Sequence, residues 1–160
     1  MKFLLLILAI ILGGYYGYTN THRGHKVVVN KLYNSEKQRS LERIKEKIGN
    51  QEEMAQSIYA ATNIYRNVSP NWIIAIYTLE SSAGRNCVAN NCFGFNIYAN
   101  HFQGFGSTRE AVFKVVSTLS LNPTYTQWSN NLVAMACVYN TGSPTPCSYG
   151  YKFVALINSY

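Results

Sequence analysis

The chain has 160 residues, long enough for one domain with a proper core and short for two. Hydrophobic residues make up 48%, Tyr (13) and Phe (7) are plentiful and only 13% of residues are charged, which excludes an intrinsically disordered chain. The formal charge of +7 fits an anionic partner such as nucleic acid, anionic lipid or an acidic wall polymer. It also fits plain solubility, because it is spread as +4 over residues 1–53 and +3 over residues 54–160.

The start, MKFLLLILAIILGGYYGY, places Lys2 before the unbroken apolar run Phe3 to Leu12. Residues 1–18 read as a signal peptide or signal-anchor helix. No A-x-A exit pattern follows, which favours an uncleaved anchor, while the basic THRGHK just beyond leaves its orientation open. Residues 19–34 read as a polar linker. In SEKQRSLERIKEKIG, residues 35–49, Ser35 and Gln38 fit a capping box and Gly49 a stop, and Leu41, Ile44 and Ile48 form a narrow apolar stripe on an amphipathic helix. Residues 50–160 then form the main domain. Asn50 and Glu53 suggest a cap, followed by Met54, Ile58, Ala61 and Tyr65 at helical spacing. Ser69 and Pro70 open a third helix that runs to about Ala83, with Gly84 ending it.

From Phe93 to Phe105, FGFNIYANHFQGF alternates like a strand pair turning at Asn100-His101. Ser107 and Glu110 form another S-x-x-E box, opening a helix to about Leu121, and Asn122-Pro123 breaks it. Two helices follow, near Trp128–Tyr139 and Ser148–Ser159. The expected fold is mainly α with an α+β flavour: a helical core and a small β-hairpin or loop lobe directly after the third helix.

Export governs the reading of Cys87, Cys92, Cys137 and Cys147. In an oxidising compartment they form two disulfides. Of the three pairings the local one, Cys87–Cys92 with Cys137–Cys147, is favoured, because each pair brackets a turn-rich stretch (VANN and TGSPTP). The spacings C-x4-C and C-x9-C fit no common zinc module and no His lies near them, so no metal is expected. Ser/His/Asp or Cys/His catalysis has little support, since the chain has no Asp and its only histidines are His22, His25 and His101. No nucleic-acid-binding signature is present.

All seven acidic residues are Glu, and one of them stands alone. Glu80 follows the uncharged NWIIAIYTL. It shares a helix face with Ile73 and Ile76, with Tyr77 beside it, and it falls in the last turn. The negative end of the helix dipole there disfavours a carboxylate by about 0.3–1 kcal/mol, and burial against aromatics adds to this. Both effects favour a carboxyl that stays protonated near neutral pH, the property a general acid needs. The plain alternative is a helix-end Glu reaching water or Arg85. Glu110, at N3 of its capping box, has a structural reading of its own.

NWIIAIYTLESSAG, then NCFGFN, then FQGFGSTREAVFKVVSTLSLNPTYTQW resemble the peptidoglycan glucosaminidases of glycoside hydrolase family 73. The tail MACVYNTGSPTPCSYGYKFVALI resembles the A-Y-N-x-G region of lytic transglycosylases. Both groups are lysozyme-like, and the resemblance covers roughly residues 51–160. It implies Glu80 as catalytic acid, with Tyr139 and Asn140 as the Tyr-Asn pair facing it. Ser81, Phe93, Gly94, Phe95 and Asn96 would contact the glycan. Asn96 stands where the hydrolases have Lys. Hydrolysis with two carboxyl groups would need Glu110 as the second carboxylate. Without it the expectation is a single-Glu lytic transglycosylase acting between N-acetylmuramic acid and N-acetylglucosamine, with no metal or cofactor. The alternatives are a glucosaminidase or muramidase hydrolase and a non-catalytic wall-binding component. The implied setting is an exported, membrane-tethered protein facing the cell wall, in an envelope-spanning or virion assembly.

Overall fold

The run NWIIAIYTL carries no charge because it lies inside the molecule. The computed structural model describes residues 30, 32–98 and 101–160, with the backbone alone at 96–98 and 101–102. In it Ile73, Ile74, Ala75, Ile76 and Tyr77 are each at most 1% exposed. Five consecutive buried residues leave no solvent face, and a helix that is apolar all round is a central helix. The expected face of Ile73 and Ile76 is therefore one part of a stretch enclosed all round, and Glu80 lies beyond it.

The fold is mainly α. In chain order the elements are α1 (32–47), α2 (Glu52–Ile64), α3 (Pro70–Ser81), β1 (Asn96–Tyr98), β2 (His101–Phe102), α4 (Thr108–Leu121), α5 (Pro123–Thr126), α6 (Leu132–Thr141) and α7 (Ser148–Ser159). The central helix α3 packs against α2, α4 and α7; α2 lies along α4 and α6 along α7. The strands pair antiparallel, Asn96 opposite Phe102 and Tyr98 opposite His101. His101, expected in the turn, lies in β2, and Asn100 is outside the described residues. The chain divides into a unit through Ser40 and a unit from Leu41 to Tyr160. Of the first, the described residues comprise residue 30 and the opening turns of α1. The 1–18 segment lies outside them. Among the described residues no helix is long and apolar enough to cross a membrane.

Local chemistry explains most boundaries. Ser69 caps α3, accepting from Asn71 N, with Pro70 at its first position. Ser107 caps α4, accepting from Glu110 N at 3.1 Å. Asn122 caps α5 and Asn131 caps α6, so α6 begins at Leu132 instead of near Trp128. At the other end of the chain Ser35 lies within α1, its hydroxyl donating back to Leu32 O at 2.7 Å, and residues 32–34 are helical where a linker was expected. Gly49 and Asn50 both take left-handed backbone (φ 71° and 63°), which makes Asn50 part of the turn, and Gln51 becomes the N-cap of α2. Leu41, Ile44 and Ile48 are buried as the stripe requires.

The helix α7 runs back along α3. Its first turn sits at the end of α3 that carries Glu80. Past its last turn, Tyr160 accepts from Lys47 Nζ at 2.7 Å, and Lys47 also reaches Asn71 at the other end of α3. The four cysteines pair locally as expected, Cys87–Cys92 and Cys137–Cys147. Closing loops of this length contributes about 2–3 kcal/mol each on chain-entropy grounds.

After α3 the chain turns through three successive left-handed residues, Ser82, Ala83 and Gly84 (φ 51°, 58° and 87°). The turn is pinned from inside: Ser81 Oγ accepts from Gly84 N at 2.8 Å, and Asn86 N donates to Ser81 O at 3.0 Å. Gly84 lies against the buried Tyr77 hydroxyl, which accepts from Gln51 Nε2 at 2.6 Å. A Cβ on Gly84 would stand 2.0 Å from that hydroxyl oxygen, whereas Gly142 (φ 76°) has nothing within 4 Å. Gly142→Ala should therefore lose only the left-handed backbone term, about 1 kcal/mol. Gly84→Ala should lose that plus overpacking, about 2–4 kcal/mol in all. Urea unfolding midpoints of the two variants measure the difference, and equal losses would mean that the Gly84–Tyr77 packing is not as described.

Candidate active site

Glu80 occupies the last turn of α3, where the buried helix reaches the surface. It is half-buried. Burial raises its carboxyl above the ordinary glutamate range, and the Tyr149 hydroxyl, which favours the charged form, opposes this in part. The last-turn position adds the helix dipole in the same upward direction as burial.

The enclosure comes from three segments. The first is the loop after α3. Gly94 (φ 66°) lies directly on the carboxyl group: a Cβ there would be 2.3 Å from Glu80 Oε2 and 2.8 Å from its Cδ. Only glycine permits both this backbone conformation and this approach. The second segment is the end of α6. Tyr139 donates its hydroxyl to Phe93 O at 2.5 Å, and its ring meets Phe95 edge-on at 6.3 Å and Tyr125 at 6.1 Å. The third is the start of α7, which brings Tyr149. Its hydroxyl oxygen is buried and completes no hydrogen bond of good geometry among the described residues, so the contact with Glu80 is an approach rather than a closed bond. Burial, then the Glu80 charge, pushes both phenols above their usual range.

Three of the residues singled out in the sequence therefore gather with Glu80: Gly94, Phe95 and Tyr139. Others take different places. Ser81 is fully buried, donating to Tyr77 O at 2.6 Å and accepting from Gly84 N. It fixes the turn behind Glu80 and has no surface to offer a ligand. Phe93 is fully buried core, packed on Tyr77 at 6.2 Å between ring centres. Asn140 is exposed, and its side chain makes no hydrogen bond among the described residues. Asn96 opens β1, and its backbone alone is described. Glu110 accepts from Gly106 N at 2.7 Å across the start of α4, a capping role. Among the described residues Glu80 is the one carboxylate whose charge acts on Tyr139 and Tyr149.

Three neighbours were missed in the sequence. Tyr125 stands in NPTY, and Tyr149 lies two residues after the cap residue Cys147, but nothing local marks Tyr149 as facing Glu80 or Tyr125 as packing behind Tyr139. Asn91 left a better signal, an Asn two residues before a Phe-Gly step, which is the place for a side chain that folds a turn onto itself. The disulfide positions show a regularity: Cys92, Cys137 and Cys147 each lie two residues before a group of the enclosure, Gly94, Tyr139 and Tyr149.

Chemically this is one protonatable carboxyl in an aromatic surround, suited to giving and taking a single proton. Comparisons with protein-family models, with curated proteins and with solved structures found no match to this chain.

The raised carboxyl has a consequence for stability. A carboxyl whose folded pKa exceeds its unfolded value binds its proton more tightly in the folded state. Its stabilising contribution is complete below the unfolded value, near 4.5, and is lost as pH rises through the folded value. At neutral pH the folded protein therefore lacks part or all of that contribution, a penalty that Glu80→Gln does not bear. The variant should melt higher than wild type at pH 7, and the gap should close as pH falls below about 4.5. Identical melting curves at neutral pH would show that Glu80 is not held against its charge.

Proposed function

We propose that this protein is a lysozyme-like enzyme that cleaves peptidoglycan glycan strands between N-acetylmuramic acid and N-acetylglucosamine, with Glu80 as its single acid and base. The observation that carries the reading is the enclosure of Glu80: one carboxyl, raised by burial, at the end of the central helix, with a glycine loop on one side and tyrosines on the others. The mainly helical core followed by the short β1–β2 pair fits the lysozyme-like arrangement that the motif order suggests.

A protonated Glu80 would donate to the glycosidic oxygen and become a carboxylate. The Tyr149 hydroxyl, at present without a closed hydrogen bond, is placed to stabilise that charge. The carboxylate would then take a proton from the attacking hydroxyl. With Glu110 engaged at Gly106 N, the surround offers no second carboxylate to activate water or to form a glycosyl-enzyme. The attacking group is then the muramic acid's own C6 hydroxyl, and the product is a 1,6-anhydro sugar. Tyr139 acts by bracing the loop: its hydroxyl is already given to Phe93 O. No metal or cofactor has a part in this chemistry. Two disulfides suit an exported protein in an oxidising compartment. The N-terminal apolar run would tether it at a membrane facing the wall, in an envelope-spanning or virion assembly.

The test is mass spectrometry of purified peptidoglycan digested by the full chain, with Glu80→Gln beside it. Anhydro-muramyl products that fall by about a thousandfold in the variant are expected. Reducing-end products would replace the transglycosylase with a hydrolase, and intact glycan under both proteins would favour a wall-binding component.

A further inference from the structure

The contact between Gly94 and Glu80 requires something to hold the loop in place, and the disulfide beside it does so only at one end. Cys92 is joined to Cys87, which is exposed. Residues 93–95, which make the approach, lie beyond that link. From outside, Tyr139 donates to Phe93 O and Gln103 N donates to Phe95 O at 3.0 Å; from within the loop, one side chain holds both residues. Asn91 Oδ1 accepts from Phe93 N at 3.1 Å and from Phe95 N at 3.1 Å, and Asn91 Nδ2 donates to Phe95 O at 2.8 Å. Both residues flanking Gly94 are thus bound to the same amide group. Asn91 is 5% exposed, so these bonds do not compete with water.

Asn91 is itself fixed. It closes a tight two-residue turn with Val88, exchanging backbone bonds of 2.8 and 3.3 Å across Ala89 and Asn90, both of positive φ. Asn90 Nδ2 donates to Phe105 O at 2.9 Å, and Phe105 N donates to Ala89 O at 2.9 Å, which anchors the turn to the segment leading into α4. A continuous chain of hydrogen bonds therefore runs from Phe105 through Asn90 and Asn91 to the two sides of Gly94.

We propose that Asn91 is the positioning residue of the site: through its three bonds to Phe93 and Phe95 it holds Gly94 against the Glu80 carboxyl group and keeps that face of the group from water. The proposal deepens the acid/base reading of Glu80 and rests on it for its catalytic meaning. Loosening the loop admits water to Glu80 without touching the residue itself. The other titratable groups facing Glu80 are Tyr149 from α7 and Tyr139 from α6, with Tyr125 of α5 behind Tyr139, and the change leaves all of them in place.

The experiment is a carbon-13 NMR titration of the Glu80 carboxyl in the full chain, comparing wild type with Asn91→Ala, Gly94→Ala and the double variant. In Asn91→Ala the Glu80 midpoint should fall by about one unit, with the exposed glutamates unmoved. Gly94→Ala should move it the same way, and the double variant no further than the larger single, since both remove one contact. Glycan cleavage at the optimal pH should fall about a hundredfold in Asn91→Ala. Should Asn91→Ala fail to fold, Asn91→Ser keeps an acceptor for Phe93 N and loses both bonds to Phe95, and the same fall is expected. A folded Asn91 variant with an unmoved Glu80 midpoint overturns the proposal, as does additivity of the two substitutions. The titration does not depend on turnover: if wild type cleaves no glycan, the acid/base reading fails while the coupling of Asn91 to Glu80 is still decided.

Discussion

A carboxyl group brought to the edge of a dry core has to be either neutral or compensated. The arrangement around Glu80 is built on that constraint. The helix that carries it has no solvent face from Ile73 to Tyr77, so the side chain emerges at the one place where the cylinder meets the surface. What surrounds it there is backbone and aromatic ring, with no cation among the described residues to pair with the charge. Burial therefore shifts the balance toward the neutral form, and a carboxylic acid that holds its proton more tightly than an ordinary glutamate is suited to donate it. On the proposed reading, the cost of keeping Glu80 half-buried and its use as an acid are the same fact.

The enclosing segments come from parts of the chain that are far apart, and cross-links bring each into place. Cys87–Cys92 sits just before the loop that carries Gly94, and Cys137–Cys147 joins the helix bearing Tyr139 to the cap of the helix bearing Tyr149. Close packing does the rest. Gly150 lets α7 approach α6 where a Cβ would meet Cys137 Sγ and Val133 O, both at 2.6 Å. The Tyr139 hydroxyl then ties α6 to the loop at Phe93. Oxidation, small residues and one phenol together assemble a site that no single segment could form.

Much of this was legible in the sequence where the physics is local. The caps at Ser69 and Ser107, the break at Asn122-Pro123 and the short cysteine pairings all follow from a few adjacent residues. So does the capping role of Glu110. Reading failed where tertiary structure decides. Ser35 looks like a cap, but the helix simply continues past it in the N-terminal direction, and its hydroxyl turns back to Leu32. Ser81 looks like a polar neighbour of the reactive group, yet the left-handed turn after it draws the hydroxyl inward to Gly84. Tyr125 and Tyr149 could not be found, because nothing in their own segments records that α7 packs on α3 or that α5 packs on α6 behind Tyr139. Periodicity placed Glu80 on a face with Ile73 and Ile76, and could not show that Ile73 to Tyr77 are buried all round.

The central claim is that the proton on Glu80 is the one that cleavage uses. The direct measurement is the pH dependence of glycan cleavage set beside the carbon-13 titration of the Glu80 carboxyl in the same full-length protein. The account predicts that Glu80 titrates above the exposed glutamates and that the rate falls on the alkaline side through the same midpoint. A Glu80 that titrates with the exposed glutamates, or a rate that falls at an unrelated pH, would contradict it.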